Sequence, residues 1–434
     1  MSGQAIGLIG IAAMLLLLAL RMPIGIAMLL VGIVGFAVLN GPTAALAALG
    51  SYPYSYSAVY DLAVIPLFVL MGNFAAASGM SRDLFGAAYA WLGHWRGGLA
   101  SATIVSCAGF AAVSGSSVAS AVTMGRVCLP EMERYKYDSG LSAGTVAAGG
   151  TLGILIPPST AFIIYAILTE QSIGKLLLAG VLPGLLLTVL FVITIMIWTR
   201  INPALGPPGP VATLGERGRA TAQAGPMFGV VLASIGGIYA GIFTPSEAAA
   251  VGAFLALLLA LWRRSLTGGK LSEVLLETVK VTAFVFLILI GAFFFGPFLA
   301  LSGLPETIAT WLTSLDLPRF VILLILIAIY MVLGMFLEGY SILVLTLPIV
   351  IPIVKALNYD LIWFGVIMVI LLEMGLISPP VGINVFVVKG LVPNVSMGAL
   401  FKGILPFWIA MGVCVAILIA FPEIALWIPN AMTR

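Results

Sequence analysis

Charge is what this chain has least of. Only 8% of its residues are Asp, Glu, Lys or Arg, against 62% hydrophobic, where a soluble domain carries roughly 25% charged residues. That composition excludes a water-soluble globule. Histidine is almost missing: His94 stands alone, without a partner motif. The three cysteines, Cys107, Cys128 and Cys414, sit in apolar surroundings with no metal-like spacing. Zinc, disulfide and histidine-assisted nucleophile readings are therefore poor. The run Ser114-Gly115-Ser116-Ser117 is not followed by the Lys-Ser/Thr pair of a phosphate loop, and no ATP-binding signature occurs anywhere in the chain. Net charge is +3, with the cations scattered at the ends of apolar runs, so nucleic acid is not a partner this sequence points to.

What the chain has instead is length without charge. Runs such as 178–198, 226–243, 282–301 and 401–421 reach or approach the ~20 apolar residues that cross a bilayer. The chain reads as an all-α polytopic membrane protein lying in a lipid bilayer. The run 6–20 lacks a basic start and a small-residue cleavage site, and so reads as a retained span rather than a signal peptide.

Two of the apolar runs are broken in the same way. Gly153-Ile154-Leu155-Ile156-Pro157-Pro158 recurs, 222 positions later, as Gly375-Leu376-Ile377-Ser378-Pro379-Pro380. A double proline removes two backbone donors and forces the preceding residue out of the helical region. In hydrocarbon the freed carbonyls find no water, so the break survives only inside protein or along a cavity. Paired interrupted spans in two halves of a membrane protein point to an ion and substrate site.

The same offset relates Pro130 to Pro352 and Tyr137-Asp138 to Tyr359-Asp360. With one residue of slip, Gly180 and Pro183 match Gly403 and Pro406; upstream, Ser78-Gly79-Met80 matches Ser302-Gly303-Leu304. The chain divides into N-terminal scaffold helices (1–60), a first repeat (61–199), a cytoplasmic linker (200–226), a scaffold helix pair with a cytoplasmic loop (227–280), a second repeat (281–423) and a C-terminal tail (424–434). Basic residues orient it. Arg200, Arg217 and Arg219 in the linker, Arg263, Arg264 and Lys270 in the next loop, and Arg82 and Arg96 fall on one side, taken as cytoplasmic. The segment 305–316, with Glu306 and Asp316, falls outside with Lys175, Arg319, Lys355 and Arg434. Arg126 lies on a hairpin arm, and the repeats insert with opposite orientation. Both termini come out periplasmic.

Each repeat holds a segment that suits a re-entrant helical hairpin: 99–130 with its tip at Ser114-Gly115-Ser116-Ser117, and 320–354 with its tip over 334–341. Each is followed by a broken transmembrane helix, 139–169 and 361–391. Ordinary spans packed through small residues would also use this Gly and Ser content. The equivalent repeat positions and the charge-sided topology favour hairpins. Half-helix ends offer amides to anions and carbonyls to cations. Serine hydroxyls and unwound carbonyls are hard oxygen ligands that suit sodium, whereas proton relays use chains of acids or histidines. The near-midplane acids are Glu338, which either caps a loop or touches an ion, and Glu373, read as structural. The cluster 131–136 reads as a solvated hairpin base. Candidate contacts for an anionic substrate are Ser116, Ser117, Gly339, Ser341 and Asn384.

At these residues the chain resembles the large membrane subunit of tripartite ATP-independent periplasmic (TRAP) transporters, the DctM-like family, nearly end to end. The most specific stretches are SGSSVASAVTMGRVCLPEM (114–132), AGGTLGILIPPS (148–159), LTEQSIGKL (168–176), GGIYAGIFTPSEAAAVGA (236–253) and EMGLISPPVGIN (373–384). The resemblance implies an elevator-type transporter of the bacterial inner (cytoplasmic) membrane. It further implies a small four-helix membrane subunit, a soluble periplasmic substrate-binding protein, a small organic acid anion as substrate, and Na+ as driving ion. Carried over by position, one sodium site uses Ser114, Ser116, Gly153, Ile156 and Pro158, and the other Gly334, Gly375, Ser378 and Val381. Many relatives carry Asp where this chain has Ser120. A stand-alone sodium/anion symporter of the divalent-anion type is the alternative, but its Ser-Asn-Thr tip signature is missing. An intramembrane enzyme or a passive channel is a third class, and no nucleophile–base pair is visible.

Overall fold

A computed structural model describes residues 2–315 and 317–432. Asp316 and Arg434, used above to orient the chain, lie outside the described residues. Among those described, no strand occurs, and eight helices are long and apolar enough to cross a membrane.

The N-terminal helices are α1 (Gly3–Ala19), α2 (Ile24–Asn40) and α3 (Pro42–Ser57), followed by α4 (Val64–Ala77) and α5 (Met80–Leu92). A hairpin comes next, with arms α6 (Gly98–Ser114) and α7 (Ser117–Arg134). Its turn is made by Gly115 at φ +64°, a conformation open to glycine at little cost, and by Ser116, whose hydroxyl caps α7 by accepting from Ala119 N at 3.3 Å. The first broken helix is α8 (Ser139–Leu155) and α9 (Thr160–Thr169). Ile156 is extended, as a residue before proline must be, the Pro157–Pro158 bond is cis, and Ser159 restarts the helix by capping Phe162 N at 3.2 Å. Then come α10 (Ile173–Ala179) and α11 (Val181–Ile201).

Part of the expected linker is helical. After a segment pinned to the hairpin base (Gly97 N to Gly206 O and Asp138 N to Leu205 O, both 2.9 Å), α12 (Leu214–Val231) begins well before residue 227. Thr213 and Glu216 form a reciprocal capping box that starts it there. A π-helical turn at Leu232–Gly236 leads into α13 (Gly237–Tyr239), and α14 (Pro245–Trp262) follows, opened by a second capping box between Thr244 and Glu247. The expected boundary near 280 falls inside one continuous 35-residue helix, α15 (Gly268–Ser302).

The second half repeats the order of the first. After α16 (Leu304–Thr313) comes a hairpin of α17 (Arg319–Gly334) and α18 (Gly339–Ala356), and then a broken helix of α19 (Leu361–Leu376) and α20 (Ile383–Leu391). Asp138 and Asp360, paired by the sequence offset, both serve as N-caps, of α8 and α19. Helix α21 (Met397–Ala420) follows, and α22 (Glu423–Ala431) occupies what the sequence suggested as a tail.

The core lies around the first halves of the two broken helices. All of α8 from Gly140 to Leu155 is buried, as is α19 over residues 363–376. Helices apolar on every side belong at such a centre. Helix α8 is held by α6, α7, α19 and α21. Its contact with α21 runs through Gly140, Gly144 and Gly403, where backbones meet with no room for a Cβ, the close approach that small residues allow between membrane helices. Helix α15 packs along α2, and α14 along α4.

Candidate functional site

Both hairpin tips end against the breaks, the first of which lies halfway along a 31-residue helical run long enough to span a membrane. A Cβ built on Gly153 would stand 2.6 Å from Ser116 O and 2.7 Å from Ser120 Oγ, and one on Gly115 would stand 3.0 Å from Pro158 O. The first tip is therefore seated on the first break, and only glycine at 153 permits the approach. Ser120 Oγ donates to Ser114 Oγ at 3.0 Å, and Ser114 Oγ donates to Ser116 O at 3.2 Å. Four of the five residues proposed for one sodium site, Ser114, Ser116, Gly153 and Pro158, thus gather with Ser120. The fifth, Ile156, lies in the same break with its side chain against Gly184 of α11.

In the second half, Gly334 and Gly375 meet backbone to backbone: a Cβ on Gly375 would be 2.5 Å from Gly334 Cα. Ser378 is buried; its hydroxyl donates to Met374 O at 2.6 Å and accepts from Trp408 Nε1 at 2.8 Å. That leaves one acceptor lone pair on the oxygen. Gly382, at φ +59°, approaches Ser378 O. Val381 is exposed at the edge of the break.

Candidate substrate contacts divide by what they already hold. Ser117, 1% exposed, donates to Glu373 Oε1 at 2.6 Å, so its hydroxyl joins the first tip to the second half. Ser116 is half-buried and caps α7. Ser341 is held by Glu338, whose Oε2 accepts from its amide at 3.2 Å and its hydroxyl at 3.3 Å; Glu338 is the cap of α18, one of the two roles read for it. Gly339, buried, opens the same helix against Leu372. Asn384 lies in the first turn of α20, which packs on α7 and α8, and its buried amide has no partner on either atom. Glu373 Oε2 is likewise buried and unpartnered. Buried polar atoms left this way are costly and call for a ligand or water.

Sequence reasoning did not find the ties between halves. Thr160 Oγ1 donates to Gly115 O at 3.1 Å, and the same hydroxyl is hydrogen-bonded to Tyr340 OH, joining the first tip, the first break and the second tip. Tyr165 OH donates to Leu361 O at 2.7 Å. No local pattern announces such partners, which are more than 150 residues apart in sequence. Ser120 alone had a signal: it stands one turn after Ser116 on the same helix.

Among the described residues no group of three or more His, Cys, Asp or Glu is placed to hold a metal ion. The donors at both tip–break junctions are neutral hydroxyls and backbone carbonyls. That set fits a monovalent hard cation better than Ca2+, which favours several carboxylates.

Comparison with known proteins agrees in family and fold. The family described as the tripartite ATP-independent periplasmic transporter, DctM component, matches over residues 11–424. A C4-dicarboxylate TRAP transporter large permease protein of Pseudomonas aeruginosa is 39% identical over 374 residues, 86% of each chain. A sialic acid TRAP transporter large permease protein of Vibrio cholerae is 31% identical, covering 95% of this chain and 96% of that one. Among solved structures, the Alcanivorax borkumensis YdaH transporter matches with a TM-score of 0.61 at 15% identity over 90% of each chain, a likeness of fold.

Proposed function

This chain belongs to the DctM component family of TRAP transporters, and from that premise we propose that it carries a small organic acid anion into the cell on a sodium gradient. It is the large permease of such a transporter, a polytopic membrane protein and not an enzyme. Its place is the bacterial inner membrane, beside a small four-helix subunit, and a periplasmic binding protein delivers the anion.

The observation that carries the reading is the seating of both tips on both breaks. It gathers Ser114, Ser116, Ser120, Gly153 and Pro158 at one junction and Gly334, Gly375 and Ser378 at the other. Their neutral oxygens would hold sodium, and sodium would supply the driving force. The anion would lie between the tips, against Ser116, Gly339, Ser341 and the free amide of Asn384, with Ser117 keeping the first tip in place. The carboxylate-bearing cargo in both relatives' names agrees with a site built from hydroxyls and amides. The ties Ser117–Glu373, Thr160–Tyr340 and Tyr165–Leu361 favour an elevator, in which hairpins and broken helices move as one body against 1–60 and 226–262.

The test is uptake of labelled succinate into proteoliposomes holding this chain, its small subunit and its binding protein. Uptake should need an inward sodium gradient and survive collapse of a proton gradient. Equal uptake in sodium-free buffer sinks the coupling. For sidedness, Lys175→Cys and Lys355→Cys should label from the periplasm, whereas Arg217→Cys and Arg264→Cys should not label until the membrane is opened.

A further inference from the structure

A polar cavity of about 530 Å3 opens where the first hairpin meets α4, α5 and α15. Three elements each bring it a cation: Arg82 in the first turn of α5, Arg126 on α7 and Lys270 in the first turn of α15. Among the described residues the ion pairs are Arg134–Glu131 and Arg263–Asp83, so none of these three cations is held in an ion pair. Glu273 and Glu277 line the same cavity and stand one turn apart on α15. Three cations against two carboxylates leave one positive charge in excess, enough to attract an anion and too little to trap it.

One helix face runs from the candidate site to this cavity. On α7, Ser116, Ala119, Thr123 and Arg126 follow at spacings of three, four and three residues, which places them on one side, and each is exposed or half-buried. Ten residues of helix cover about 15 Å. The face that begins at the tip serine ends at the arginine of the cavity, and Thr123 lies in the cavity wall.

We infer that this cavity is a weak oxyanion site on the release side, occupied by the carboxylate cargo after it leaves the tips. Arg126 is its contact on the hairpin, and Arg82 and Lys270 are its contacts opposite. The inference rests on the anion-import reading above. A phospholipid phosphate shares the same chemistry; the polar walls and the path from Ser116 favour the soluble anion.

The direct test needs no transport. Purified protein in detergent is treated with phenylglyoxal, which modifies arginine, and the modified sites are read by mass spectrometry. Succinate should slow modification of Arg82 and Arg126 about threefold relative to chloride at matched ionic strength, with Arg200 unaffected. Equal rates, or slowing by added phosphatidylglycerol alone, would overturn the assignment. In proteoliposomes, Arg126→Gln should raise the succinate concentration for half-maximal efflux about threefold, in zwitterionic and in anionic lipid alike. An effect confined to anionic lipid, or none, counts against the site. Should the wild type show protection yet accumulate no succinate, the import reading fails while the site stands.

Discussion

Pro157, Pro158 and Ser159 are buried, whereas Pro379, Pro380 and Val381, their equivalents 222 positions on, are exposed. The two breaks share a motif and a cis Pro–Pro bond, yet one is sealed and the other lies open. The side chains around them explain the difference. The first break is covered by a short tip of two residues between helices, tied by the Ser114 and Ser120 hydroxyls to the Ser116 carbonyl and by Thr160. The second faces a longer tip, 335–338, that exposes Phe336. Duplication thus repeats the backbone plan, while local side chains decide which break is covered and which is left exposed.

The largest test of that contrast is at the tip serines. Ser117→Ala leaves both carboxylate oxygens of buried Glu373 without a partner and should cost about 2–3 kcal/mol. In the second tip, Ser341→Ala removes a 3.3 Å bond whose acceptor keeps the Ser341 amide, and should cost about 0.5 kcal/mol. Thermal unfolding in detergent separates the two, and equal losses would break the comparison. Next come the glycines. Gly153→Ala drives a methyl onto the fixed Ser116 carbonyl and should lose about 2 kcal/mol. Gly375→Ala meets the Gly334 backbone just as closely and should lose about as much, so unequal losses would show that the junctions do not share one backbone plan. The smallest pair is Ser159→Ala, which removes a helix cap at about 1 kcal/mol, against Val381→Ala at the equivalent exposed position, within about 0.5 kcal/mol. If Val381→Ala proved the costlier, the second break would be covered in the working protein.

Much of the fold was legible because it is written in local chemistry. Proline pairs stop helices, and serines and aspartates restart them; Asp138, Ser159 and Asp360 all do so. Boundaries were misread where charge stood in for structure: Arg217 and Arg219 suggested a loop, but they ride on α12, and Lys270 to Lys280 lie on α15. For the candidate site, the tip and break residues could be named from sequence, but their partners could not. Trp408 reaches Ser378 from 30 residues away, and Glu373 reaches Ser117 from 256. Nothing in the local pattern around Trp408 or Glu373 encodes a meeting that only packing creates.

Helix α15 holds one more consequence. Its 35 residues make a rod of about 52 Å, against a hydrocarbon layer of about 30 Å. All its charges (Lys270, Glu273, Glu277 and Lys280) fall before residue 281, and the remainder, 281–302, is charge-free and about 33 Å long. The rod is thus marked like a dipstick. Sinking it by one turn would draw Lys280 and Glu277 into oil, at up to about 2.5–3.5 kcal/mol for each charge carried to the centre, and raising it would strand leucine and phenylalanine in water. Packed along α2, it fixes the depth of that part of the molecule in the membrane, and the proposed elevator motion would fall to elements that carry no such mark.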